Sequence, residues 1–141
     1  MRPFSSVKEM NDLMVENWNA VVKDEDIVYH LGDLYLGSLN CMKDLMKQLK
    51  GRKRLIVGNH DDIKVIAREG FFQKIQMWRM FPEFGLLLTH VPVHNSSLDI
   101  KGLVNVHGHT HCNPSPTEKH INVCVEVTNY APVNIEDLRI K

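Results

Sequence analysis

The chain has 141 residues, a size that fits one domain with one core spanning 1–141. Its 17 Lys and Arg balance its 17 Asp and Glu, so the formal net charge is zero; bulk electrostatic attraction to nucleic acid or membrane is excluded, and only a local basic patch stays open. No stretch approaches the ~20 apolar residues of a membrane span, the opening MRPFSSVKEM lacks the apolar run of a secretory signal, and the odd count of three cysteines reads as reduced thiols in a cytoplasmic protein.

The first predicted element is a helix. Ser6 and Glu9 form an S-x-x-E capping box, and Val7, Met10, Met14, Trp18 and Val21 recur at helical spacing. A strand is expected over 27–30, running into Gly32-Asp33. A second helix covers about 39–49, with Leu39, Met42, Met46 and Leu49 on one face and Gly51 as its stop. A strand over 54–57 ends at Gly58-Asn59-His60-Asp61, and a short helix over 63–68 follows. Further strands are expected at about 74–77, 85–89, 103–106 and 122–127. The tail from Asn134 is ambiguous.

One pattern dominates. Four apolar strands each end in a polar cluster containing Asp, Asn or His: H-L-G-D (30–33), G-N-H-D (58–61), T-H-V-P (89–92) and G-H-T-H (108–111). Sites in α/β folds collect at the carboxyl ends of strands, where loops converge on one edge of a rigid sheet. Seven of the eight histidines lie in or beside these clusters, and only His120 stands apart. A carboxylate such as Asp33 suits a position between two cations, whose repulsion its charge offsets. Asn59 offers a neutral carbonyl oxygen, and neutral imidazoles at His90, His109 and His111 suit borderline metals such as Mn, Fe, Ni or Zn.

Each cluster is weak alone, but the four in this order are specific. They resemble motifs two to five of the calcineurin-like metallophosphoesterases. R-P-F-S-S, Y-H-L-G-D, L-I-V-G-N-H-D and V-T-N-Y-A-P-V resemble the small bacterial and phage branch of that family, and the likeness covers essentially the whole chain. It implies an α/β fold, a metallophosphoesterase-type sandwich of two mixed β-sheets flanked by helices. It implies metal-dependent hydrolysis of a phosphomonoester or phosphodiester by a metal-activated hydroxide, with one or two divalent ions per chain, Mn²⁺ foremost. Asp33 then stands as bridging ligand, Asn59, His90 and His109 as ligands of the second metal, and His111 as a ligand of the first. His60 stands as the group that protonates the leaving oxygen or stabilises the transition state.

One departure matters. The family's first motif, an Asp-x-His on an opening strand, does not occur in this sequence. The expectation is therefore a sandwich without its first strand, and a first metal position left with Asp33 and His111 alone. An upstream start, a natural truncation and donation of ligands by a partner chain all stay open. So does a second reading, in which the chain is a degenerate, non-catalytic member that acts as a binding or regulatory protein. The expected partner is a phosphate-ester substrate, with nucleic acid only as substrate, no membrane, and self-association left open.

Other residues have plainer readings. His30 and His107 are expected to be structural, Asp61 to orient the G-N-H-D loop, and Asp62 to cap the next helix. His94 either faces substrate or sits on an exposed loop. A structural zinc site from His109, His111, Cys112 and Cys124 fits no standard finger spacing. The run Lys50, Arg52, Lys53, Arg54 reads as a solvated turn before it reads as a nucleic-acid contact.

Overall fold

The computed structural model describes residues 7–32, 39–99, 102–110, 113, 115–124, 127–128 and 130–138. Ser6, Asp33, His111, Cys112 and part of the expected last strand lie outside the described residues.

The chain alternates helices and short strands: α1 (Val7–Val21), β1 (Ile27–His30), α2 (Leu39–Gln48), β2 (Arg52–Ile56), α3 (Ile63–Glu69), β3 (Lys74–Gln76), β4 (Arg79–Phe81), β5 (Leu86–Thr89), α4 (Ser96–Asp99), β6 (Val104–His107), β7 (His120–Asn122) and α5 (Ile135–Leu138). A 3-10 turn over Pro82–Phe84 separates β4 from β5. Two sheets form. The first is ordered β1-β2-β3 and is parallel throughout; the second is ordered β4-β5-β6-β7, with β4 antiparallel and the rest parallel. Among the described residues β1 is an edge strand.

The two-residue period of a strand sorts the side chains into layers. Leu55 on β2 points outward and packs with Met42, Met46 and Ile66 of α2 and α3. Its neighbour Ile56 points the other way and packs between the sheets with Leu86, Leu88 and Val106. Leu87 faces the far side, against Leu98 and Leu103. Because β5 is covered on both faces, its residues Leu86–Thr89 are all buried. Such a strand must be apolar without alternation.

Both boundaries of α3 have a local cause. The Asp62 side chain accepts the Val65 N–H at 3.2 Å and starts α3, and Gly70 in the left-handed region ends it. The helix α1 docks on the α2–β2 connection through polar contacts. The Trp18 indole N–H donates to the Lys50 carbonyl, and the Asn19 side chain both donates to the Gln48 carbonyl and accepts the Lys50 N–H. Val21, expected on the apolar stripe of this helix, is 59% exposed, and Val22 just beyond the helix is buried instead.

Four elements differ from expectation. The last strand covers His120–Asn122, whereas 122–127 was expected. Its ladder partner β6 pairs Asn105 with His120 and His107 with Asn122, and then turns away into the G-H-T-H loop. Among the described residues one further bond, from the Val123 N–H to the His107 carbonyl, extends this pairing. The short elements β4 and α4 carry no periodic signal and were not expected. The strand expected at 54–57 lies at Arg52–Ile56, moved toward the helix before it.

Candidate metal centre

The parallel register brings the predicted clusters to one edge. In the first sheet β1 and β2 run side by side, and in the second β5 and β6 do the same, so four carboxyl ends are available. The two sheets meet there at very short range. A Cβ on Gly32, whose φ is +95°, would lie 2.6 Å from the Gly58 backbone and 2.6 Å from His90 Nδ1. Only glycine fits at that crossing, both for space and for its positive φ. On the other side the Gly108 N–H donates to the His90 carbonyl at 2.9 Å.

His90 is buried and bridges the sheets. Its Nδ1 lies 2.6 Å from the Leu31 carbonyl, which can only accept, so Nδ1 carries the proton. In the neutral ring Nε2 then presents a lone pair. That lone pair faces Asn59 Oδ1 at 2.9 Å and His109 Nδ1 at 3.1 Å, and His109 Nδ1 is itself 3.1 Å from Asn59 Oδ1. Three donor atoms from three strand ends thus form a nearly equilateral triangle.

Hydrogen bonding does not account for this triangle. Asn59 Oδ1 and the neutral His90 Nε2 are both acceptors, and a proton on His109 Nδ1 can serve only part of the set. Converging lone pairs are what a cation resolves, so the residues present fit a divalent ion. The Thr110 hydroxyl, buried and without a hydrogen-bond partner, lies on the same loop. His109 itself adopts a left-handed φ of 65°, a conformation that costs a non-glycine residue strain and that clusters at functional sites. Among the described residues no group of three or more His, Cys, Asp or Glu side chains is in position to ligate a metal. The triangle has two histidines, and its third corner is an amide.

The structure brings together Asn59, His90 and His109. His60 follows Asn59 in the same turn and is exposed to solvent. Asp33, next to Gly32, and His111, two residues after His109, lie outside the described residues. Asp61 acts as expected, accepting the Gly58 N–H through Oδ2 at 2.8 Å and so shaping the loop that carries Asn59. His94 is exposed and bonded to Ser96. His107 is fully buried, with Nε2 on Ser115 Oγ and Nδ1 donating to the Gly108 carbonyl. Burial pushes its imidazole below the ordinary range, outweighing the Gly108 bond. His30 accepts the Gly32 N–H.

Support for the triangle comes from a residue that sequence reasoning missed. Asn105 is fully buried in β6. Its Nδ2 donates to the Leu87 carbonyl and to Thr89 Oγ1, and its Oδ1 accepts the Val93 N–H. Thr89 in turn donates to the Val91 carbonyl across His90. The two residues hold the backbone on both sides of His90. The available signal was a lone polar side chain inside the apolar run L-V-N-V.

The sequence profile of the calcineurin-like phosphoesterases matches residues 4–137. The chain is 40% identical over 149 residues to the uncharacterized protein MJ1445 of Methanocaldococcus jannaschii, covering 99% of this chain and 78% of that one. It is 29% identical to the gene 66 protein of Mycobacterium phage L5, covering 82% and 70%. A crystal structure of a protein of unknown function, AQ665 from Aquifex aeolicus, superposes with a TM-score of 0.72 at 26% identity, over 96% of this chain and 87% of that one. With its motifs, its two-sheet sandwich and this profile in agreement, the chain belongs to the calcineurin-like phosphoesterases, in the small branch that includes phage members.

Proposed function

We propose that this chain hydrolyses a phosphate ester at a metal centre in which Asn59, His90 and His109 hold one divalent ion, with Asp33 and His111 completing the site. The observation that carries this reading is the triangle of donor atoms with edges of 2.9–3.1 Å. Two imidazole nitrogens and an amide oxygen would suit a borderline divalent ion such as Mn²⁺, Fe²⁺, Ni²⁺ or Zn²⁺.

When bound, the ion supplies charge neutralisation at the phosphate oxygens and acidifies water. The chain supplies the rest. His90, locked by Leu31 and by the Asn105–Thr89 clamp, fixes one donor at no rotational cost. His60, exposed beside Asn59, hands a proton to the leaving oxygen as the bond from phosphorus breaks. The close approach of Gly32 to His90 keeps the two sheets' halves of the site in register.

The test is hydrolysis of a generic aryl phosphodiester with Mn²⁺, together with metal content by elemental analysis. Turnover is expected in the native chain. His90→Ala should lose both metal and turnover, and His60→Ala should keep the metal and lose most of the rate. A folded sample that holds its ion tightly and turns over no aryl ester with any of these metals would replace this reading with that of a non-catalytic, metal-binding member.

A further inference from the structure

The space between the sheets is not apolar throughout. Tyr29 on β1 and Arg54 on β2 are register partners, so their side chains share a face, and Gln76 on β3 lies on the same face two positions beyond Arg54's own partner Lys74. Arg79 reaches across from β4. Arg54 Nη1 donates to the Tyr29 hydroxyl oxygen at 3.1 Å, and Arg79 Nε donates to the same oxygen at 3.3 Å. Arg79 Nη1 also donates to the Met80 carbonyl.

These three bonds are the only ones the two guanidiniums make among the described residues. Two guanidiniums carry ten N–H donors in fixed forks. No carboxylate among the described residues pairs with either. The Arg54 Nε is buried without a partner, and so is Gln76 Oε1 nearby. Two half-buried positive charges therefore converge on one neutral phenol, Arg79 lying also over the Phe81 ring at 4.2 Å and Arg54 near the Tyr29 ring at 5.8 Å, contacts that offset part of the charge but fill few of the N–H donors. Such a pair ordinarily has an anion between or beside its members, because unpaired buried charge is costly. The planar fork of arginine suits the oxygens of a phosphate in particular.

The cluster is also reachable. Arg79 lines an open depression of about 650 Å³ together with Gln76 and the exposed Met77 and Trp78. Arg54 does not line it and meets Arg79 at the Tyr29 hydroxyl. We propose that Arg54 and Arg79, with Tyr29 and Gln76 around them, form an anion site for a phosphate group, separate from the metal centre. The anion takes the donors that the phenol leaves unused, and the Gln76 amide turns to present its NH₂. The proposal does not depend on the metal centre being catalytic.

Calorimetric titration of the EDTA-treated full chain with inorganic phosphate, and then with phenyl phosphate, tests it at constant ionic strength. One saturable site is expected, kept in Asn59→Ala and weakened about tenfold or more in Arg79→Met, which retains the stem but not the fork. Arg79→Lys should recover only part of the loss. Tighter binding of phenyl phosphate than of phosphate would identify the ligand as an ester whose organic part rests on Met77 and Trp78; equal binding would identify free phosphate. If Arg54→Gln fails to fold, the half-exposed Arg79 variants still decide. A second readout is the tyrosinate absorbance, with Tyr29→Phe as blank: phosphate should shift the Tyr29 ionisation upward as it draws the guanidiniums away. Absence of saturable binding, equal binding in Arg79→Met, or loss of binding in Asn59→Ala would each overturn the proposal.

Discussion

The Nδ1 proton of His90 in the second sheet is donated to the carbonyl of Leu31 in the first, at 2.6 Å. That bond sets the tautomer of the ring, and with it the lone pair that faces Asn59 and His109. It exists only because the sheets approach each other closely where Gly32 meets His90. Gly32→Ala should therefore be severe. Its φ of +95° costs an alanine about 1–3 kcal/mol in strain, and the added methyl would lie 2.6 Å from backbone and from His90. The control is Gly70→Ala, which has a φ of +69° and nothing within 4 Å. It should lose only about 1 kcal/mol and no metal affinity. Urea unfolding and metal titration of both variants check the contrast.

Replacing Asn105 with leucine should cost about 2–4 kcal/mol. The side chain makes three hydrogen bonds at full burial, and the change orphans the Val93 N–H and one bond of Thr89. The Val91 and Val93 backbone beside His90 should loosen as well, so metal affinity should fall more than in a core variant of equal stability loss. Leu55→Ala is that core variant.

Leu55 is fully buried beneath α2 and α3, remote in the layering from the metal triangle. Leu55→Ala should lose about 2–5 kcal/mol through the cavity it leaves. Val21→Ala, at a position 59% exposed, should change stability by no more than about 0.5 kcal/mol. Thermal and urea unfolding of the two variants decide this directly.

Tyr29 gives a pH dependence with a defined sign. Burial by itself raises its ionisation, but the bonds and charges of Arg54 and Arg79 outweigh burial, so the folded value lies below the ordinary 10.0. Between the folded and unfolded values the unfolded chain holds a proton that the folded chain has released. Stability from this group therefore rises with pH through that window and is complete above about 10. Tyr29→Phe should abolish the rise. Urea unfolding at stepped alkaline pH, native against variant, measures it.

Much of the fold was legible because the chain obeys simple periods. The helix α2 showed a face and a glycine stop, α3 had its Asp62 cap, and β1, β5 and β6 were apolar runs cut off by polar clusters. What failed was whatever depends on a distant partner. The stretch after Asn122 alternates like a strand, yet pairing ends where β6 turns off at His107. The segment Arg79–Phe81 is a strand only because β5 lies beside it. In the site, Asn59, His90 and His109 could be singled out through the four motifs and their family resemblance, and the fold brings their donor atoms together. Asn105, Thr89 and the Tyr29–Arg54–Arg79 cluster could not, because an isolated asparagine, threonine or arginine has no chemical signature until the topology surrounds it. Asp33 and His111, predicted on the same grounds, lie outside the described residues.

The donor triangle draws on both sheets, with Asn59 following β2 and His90 and His109 following β5 and β6, fifty residues of chain apart at the extremes. An ion held by these three atoms is a removable cross-link. It closes a long loop, as a disulfide would, and ties one layer of the sandwich to the other at their shared rim. Its binding energy then adds directly to the free energy of opening the layers, growing with the logarithm of free ion concentration. Under the proposed function, the sandwich that builds the centre would in turn be held shut by the ion bound there.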